Sequence, residues 1–297
     1  MAIQNNIQTA LRGTGVAIIT PFKSNLEVDL QGLGNMIDHV IKGGVEYIVT
    51  LGTTGETPTL SKEEKIAIIR YTFEKVNNRI PVVVGIGGNN TQELIQDLQT
   101  FPLTNALAVL SASPYYSKPS QQGLFEHYQA LAAASPKPIL LYNVPGRTGR
   151  NMTAATTIRL AREVPNIVGI KEASGDMAQC MELLRDRPED FIVVSGDDAL
   201  TLPQIACGMV GVISVAANCF TRDFTDMVRL CLKGDYIAAK SLNDKLIAGY
   251  ELLFIENNPA GAKAVCFEMG LIENCLRLPV TPVSAELQDK IRKYLGK

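Results

Sequence analysis

Histidine is scarce in this chain. His39 and His127 are the only two in 297 residues, and both fall in segments of helical period. Two isolated histidines make a histidine-based zinc site improbable. None of the six cysteines forms a CxxC pair or any metal-ligand rhythm, so they are expected to be reduced, mostly buried thiols of a cytoplasmic protein. Charge of one sign is lacking too. The 28 basic and 30 acidic residues leave a net charge of -2, with no long run of either kind. That excludes the electrostatic footprint of a nucleic-acid or anionic-membrane binder. No apolar run is long enough to span a bilayer. The opening MAIQNNIQTALRG has no basic segment followed by an apolar core, so no secretory signal is expected.

What remains is the composition of an ordinary globular enzyme, arranged with a steady beat. Eight short apolar runs, GVAIITPF, YIVTLG, PVVVGIG, ALAVLSAS, PILLYNVP, IVGIKEAS, FIVVSGDD and GVISVAAN, alternate with segments of helical period. One such segment opens with Ser61 and Glu64 at capping-box spacing, which marks a helix N-terminus. Strand then helix, eight times over, predicts an α/β fold: a (β/α)8 TIM barrel. An open doubly wound sheet would normally carry a glycine fingerprint after its first strand. The nearest string, GIGGNN, follows the third strand and breaks the GxGxxG spacing at Asn90. Helical pattern continues from Phe220 nearly to the end, more than one barrel helix requires. The chain therefore divides into a catalytic barrel over 1–235 and a C-terminal helical appendage over 236–297. Breaks are expected at Asn257 to Pro259 and at Pro279 and Pro282.

In such a barrel the chemistry lies at the C-terminal ends of the strands. Lys171 is the sharpest feature there, a charged residue inside the apolar run VGIKEASGD. Desolvation disfavours its ammonium form. It is either paired, with Glu172 or Asp197 as candidates, or a Schiff-base lysine whose amine attacks a ketone. Its position in the sixth strand, facing Tyr142 of the fifth, favours the second reading. Tyr142 then becomes a candidate proton shuttle. The turn TTG at Thr53 to Gly55 offers backbone N–H groups and a threonine hydroxyl to a carboxylate. Arg147, in a glycine-flanked loop, is either a surface residue or a bidentate clamp for a second carboxylate. Tyr115 and Tyr116 are adjacent, so they are expected to point in different directions, and a tyrosine pair on a loop often marks an interface.

The strings GTGVAIITPF, LGTTGE, PYYSKPSQQGLFEHY, LYNVPGRTG, GIKEASGD, SGDD and GVISVAAN occur in the order found in the dihydrodipicolinate synthase family. The chain resembles that family over essentially its whole length. The wider superfamily of pyruvate-dependent Schiff-base aldolases, with N-acetylneuraminate lyase, shares the barrel and the lysine. The resemblance implies a lyase that condenses pyruvate with L-aspartate 4-semialdehyde to give 4-hydroxy-tetrahydrodipicolinate. That is the first committed step of the diaminopimelate and lysine pathway.

By the same resemblance, Lys171 forms the imine, and Thr53, Tyr142 and Tyr116 make a proton relay. Tyr116 would enter the neighbouring subunit's site. Thr54 and the backbone around Ile213 hold pyruvate, Gly196 lies beside it, and Arg147 receives the carboxylate of the semialdehyde. No metal or organic cofactor is implied. The family assembly is a homotetramer, a dimer of dimers. Asn89, Glu93 and Tyr115 match the family's lysine-feedback cleft. Lys62 and Lys65 stand where strongly inhibited members carry histidines, and Pro58 replaces a small residue, so weak inhibition by lysine is expected. Two alternatives stay open: a sister aldolase acting on a sugar acid of the N-acetylneuraminate or 2-keto-3-deoxy-gluconate type, and a metal-assisted barrel enzyme using Asp197 and Asp198.

Overall fold

The computed structural model describes residues 7–297. Eight parallel strands close into a barrel in sequential order. A helix follows each strand. The first four units are β1 (Gly13–Ala17) with α1 (Leu30–Gly43), β2 (Tyr47–Thr50) with α2 (Lys62–Val76), β3 (Val82–Gly85) with α3 (Thr91–Thr100), and β4 (Ala108–Ala112) with α4 (Gln121–Ala134). The other four are β5 (Ile139–Asn143) with α5 (Ala154–Glu163), β6 (Ile167–Glu172) with α6 (Met177–Asp186), β7 (Ile192–Ser195) with α7 (Thr201–Ala206), and β8 (Gly211–Ser214) with α8 (Thr221–Leu232). Three helices come after the barrel: α9 (Tyr236–Phe254), α10 (Ala260–Glu268) and α11 (Ala285–Tyr294). None of the described helices is long and apolar enough to cross a membrane.

The strands read as unbroken apolar runs because both faces are covered. Ile48, Val109, Leu141, Ile170 and Val193 face the helices, while Val49, Leu110, Leu140, Val194 and Ile213 fill the barrel. Ile7, Leu11 and Tyr47 join that inner cluster and close the end of the barrel where the strands begin. The Tyr47 ring occupies the space where a Cβ on Gly15 would stand, 2.1 Å away, so only glycine fits there. At the opposite end, α1 to α6 each start at an Asp, Ser, Asn or Thr whose side chain accepts a hydrogen bond from the first turn. The Ser61 and Glu64 pair forms the capping box that its spacing predicts.

Candidate active site

Lys171 lies near the C-terminal end of β6, and its partner in register on β5 is Tyr142. Side chains alternate along a strand, so Ile170 turns to the helices and Lys171 turns inward. The amine sits 4.3 Å from the centroid of the Tyr142 ring. Only 4% of Lys171 is exposed, and it has no ion-pair partner among the described residues. Both candidate partners are engaged elsewhere. Glu172 accepts from the Asn143 side chain at 3.0 Å, from the Ser174 N–H at 2.7 Å and from the Gln179 amide at 3.2 Å. Asp197 accepts from the N–H groups of Ala199 and Leu200. Gly196 makes room for the lysine stem: a Cβ there would lie 2.9 Å from Lys171 Cε and 3.1 Å from Cγ. Ile213, on β8, is buried in the same inner cluster as Tyr142.

A cavity of about 560 Å³ opens at this end of the barrel, and Thr53, Tyr142 and Arg147 all border it. Thr53 opens a short 3-10 turn over Thr53–Gly55. The left-handed residues around it are Leu51 and Glu56, so Gly55 is not supplying a positive φ. A Cβ on Gly55 would instead lie 3.1 Å from Thr20 Oγ1, and this close approach is what the glycine permits. Thr54 is buried, and its hydroxyl oxygen accepts from the Asn258 side-chain amide at 3.2 Å. Arg147 sits on the helical turn Pro145–Thr148 and donates to the Asn258 carbonyl at 3.2 Å.

The cavity continues past Asn89, Glu93, Tyr115 and Lys65. Asn89 accepts from the Tyr115 N–H at 2.7 Å. Lys62 is not among the cavity's lining residues. Its ammonium lies 2.9 Å from Asp97, which offsets its charge, so only Lys65 of the two lysines adds positive charge to the cleft. Tyr115 and Tyr116 do point apart. Tyr116, at 91% exposed and in the left-handed region, stands away from the cavity of its own chain.

Asp198 is fully enclosed. It accepts from the Ser214 hydroxyl at 2.5 Å and from the N–H groups of Val215 and Ala216, and burial pushes its carboxyl up to about 6 despite those bonds. These bonds pin the chain as it leaves β8. His39 bonds Thr221 at 3.1 Å and His127 bonds Thr91 at 2.8 Å.

Residues 10–297 match the family described as the Dihydrodipicolinate synthetase family. The chain belongs to this family. Among similar curated proteins is the 4-hydroxy-tetrahydrodipicolinate synthase of Parabacteroides distasonis, 49% identical over 285 residues and covering 96% of each chain. Among similar solved structures is dihydrodipicolinate synthase from Aquifex aeolicus. It is 40% identical with a TM-score of 0.93, over 96% of this chain and 97% of that one. Another is the chloride-inhibited enzyme from Acinetobacter baumannii, complexed with pyruvate. It is 39% identical with a TM-score of 0.93, over 96% and 98% of the two chains.

The Dihydrodipicolinate synthetase match runs to Lys297, beyond the barrel, and the later helices reach the site. Glu56, directly after the TTG turn, is buried and forms an ion pair with Lys263 of α10, which is itself fully buried. Glu56 also accepts from the Arg277 N–H at 3.2 Å. Lys263 donates to the Cys275 carbonyl at 2.9 Å and lies 4.1 Å from the centroid of the Phe22 ring. Reading the strand ends alone misses Glu56, Asn258 and Lys263. The one available signal was a lysine inside the small apolar run AGAKAVC.

Proposed function

We propose that this chain is a 4-hydroxy-tetrahydrodipicolinate synthase, condensing pyruvate with L-aspartate 4-semialdehyde through a Schiff base on Lys171. The observation that carries the proposal is a buried lysine at the catalytic end of a barrel. It has no carboxylate partner among the described residues and lies against a tyrosine ring that borders a cavity. The amine of a lysine in such a place can serve as a nucleophile for a ketone.

Lys171 Nζ adds to C2 of pyruvate, and the carbinolamine loses water to form an iminium. The iminium draws electrons from C3, which loses a proton to give the enamine. No metal or organic cofactor is needed for that step, because the iminium is the electron sink. The enamine carbon attacks the aldehyde carbon of the second substrate, and the new alkoxide takes a proton. The substrate's amino group then adds to the iminium carbon, closes the ring and releases Lys171. Protons move on and off oxygen through Tyr142 and Thr53, with Tyr116 supplied by a neighbouring subunit. Thr54 and the backbone at Ile213 hold the carboxylate of pyruvate, with Gly196 alongside. Arg147 takes the carboxylate of the semialdehyde, a planar group suited to its two-pronged donor.

The working form is a cytoplasmic homotetramer, a dimer of dimers. In support, Tyr116 is exposed on its own chain, and Ile237, Ile247 and Ile255 are exposed on and just after α9. Asn89, Glu93, Tyr115 and Lys65 form a cleft for feedback lysine, with Lys65 weakening it. Residues 236–297 form the helical appendage that serves assembly.

Borohydride added with pyruvate tests the proposal. Mass spectrometry is expected to place the reduced adduct on Lys171, and Lys171→Ala is expected to abolish both adduct and turnover. An adduct on Lys118 or Lys263 would overturn the assignment. Turnover of a sugar acid in preference to aspartate semialdehyde would overturn the choice of substrate.

A further inference from the structure

Asn258 lies between α9 and α10, far in sequence from the strand ends. It is buried, and it touches both loops proposed to hold carboxylates. Its side-chain Nδ2 donates to Thr54 Oγ1 at 3.2 Å, and its backbone carbonyl accepts from Arg147 Nη2 at 3.2 Å. The first contact belongs to the loop after β2 and the second to the loop after β5. Five residues on, the buried ion pair of Lys263 with Glu56 fastens the same segment to the residue that follows the TTG turn. Asn258 is thus held against that turn from within the core.

A threonine hydroxyl has one proton to donate and two lone pairs to accept with. When an amide N–H occupies a lone pair, the hydroxyl proton is turned away from that donor. Thr54 donates to no protein acceptor among the described residues, so its proton remains available to a ligand. The Asn258 Oδ1 is buried without a protein partner among the described residues. A buried acceptor left in that condition opposes folding, so this side chain is a poor choice for stability alone.

We propose that Asn258 is a positioning residue for both substrates. Its side chain aims the Thr54 hydroxyl at the carboxylate of pyruvate, and its carbonyl fixes one edge of the Arg147 guanidinium for the second carboxylate. This rests on the function proposed above. The two arms are separable, because Asn258→Ala removes the amide but keeps the carbonyl.

The experiment measures the pyruvate concentration that half-saturates borohydride trapping, alongside KM for aspartate semialdehyde at saturating pyruvate. Neither quantity depends on the fraction of folded enzyme. Asn258→Ala is expected to raise the pyruvate value about fivefold, the scale of one neutral hydrogen bond. KM for the semialdehyde is expected to stay within about twofold, since the contact to Arg147 survives. In a Thr54→Val background, Asn258→Ala is expected to add almost nothing to the pyruvate value, because the group it acts through is gone. An unchanged pyruvate value in the single variant would overturn the proposal. So would independent, multiplying effects in the double variant, or equal shifts for both substrates. Failure of the unaltered enzyme to trap pyruvate on Lys171 would instead overturn the proposed function.

Discussion

Gly196→Ala isolates the space around the lysine stem. Gly196 is not in the left-handed region, so the backbone accepts a side chain and the effect is purely steric. The added Cβ would lie 2.6 Å from the Cβ of Ala173, 2.9 Å from Lys171 Cε and 3.1 Å from Cγ. Carbon atoms settle at about 3.5–4.0 Å, so roughly 0.5–1 Å must be yielded. Ala173 is part of the backbone leaving β6, and the flexible partner is the lysine. The stem therefore moves and carries the amine with it. Overpacking of this kind costs about 1–3 kcal/mol of stability, which lowers the melting midpoint by about 2 °C per kcal/mol in a chain of this size. Catalysis should suffer far more, because a displacement near 1 Å of a reacting group can lower the rate by about 10²-fold. Single-turnover trapping with pyruvate and borohydride reads the rate of imine formation directly, and a thermal melt reads the packing cost. An imine rate within about threefold of the unaltered enzyme would refute the reasoning. It would mean that the lysine reaches its working position by a path clear of Gly196.

Tyr142→Phe removes one hydroxyl and leaves the ring against Lys171, so the melt is expected to be unchanged while turnover falls by about 10²-fold or more. Near-normal turnover would remove Tyr142 from the relay. Arg147→Ala is expected to lower kcat/KM for aspartate semialdehyde by about 10²-fold, since a hydrogen bond to a charged group contributes about 1.5–3 kcal/mol. Pyruvate trapping should change little, and equal losses in both half-reactions would point to a scaffolding role. Lysine is expected to inhibit weakly, with half-inhibition above the sub-millimolar range. A like charge about 4 Å away costs roughly 1 kcal/mol in water, so Lys65→Ala is expected to strengthen inhibition about fivefold. Initial rates against lysine at near-saturating pyruvate decide it, and an identical curve for the variant would clear Lys65 of any role.

The parts of this molecule that were legible in the sequence are those set by local rules. Strands covered on both faces leave unbroken apolar runs, and helix starts leave Asp, Ser, Asn or Thr. A lysine inside such a run is visible as an exception, and the order of strands brings it beside Tyr142. Contacts that join distant segments leave no such trace. Nothing near Glu56 announces Lys263, and nothing near Thr54 announces Asn258, because those meetings depend on where the last helices fold back. Lys62 illustrates the same limit from the other side. Its sequence position next to the cleft suggested a free charge, yet a side chain from the neighbouring helix, Asp97, takes it up. The glycine of the TTG turn follows the same pattern: what requires it is the nearness of Thr20, thirty-five residues earlier, and nothing in the turn itself announces that contact.

The stopper made by Ile7, Leu11 and Tyr47 fills the end of the barrel where the strands begin, so the cavity above Lys171 is approached from the opposite end. Lys171 sits down inside the barrel, covered by the ring of Tyr142, while Arg147 stands at the rim. In the proposed reaction, the molecule that bonds to Lys171 passes Arg147 on its way down. On the proposed roles, depth alone would put the molecule that bonds to Lys171 ahead of the one that meets Arg147.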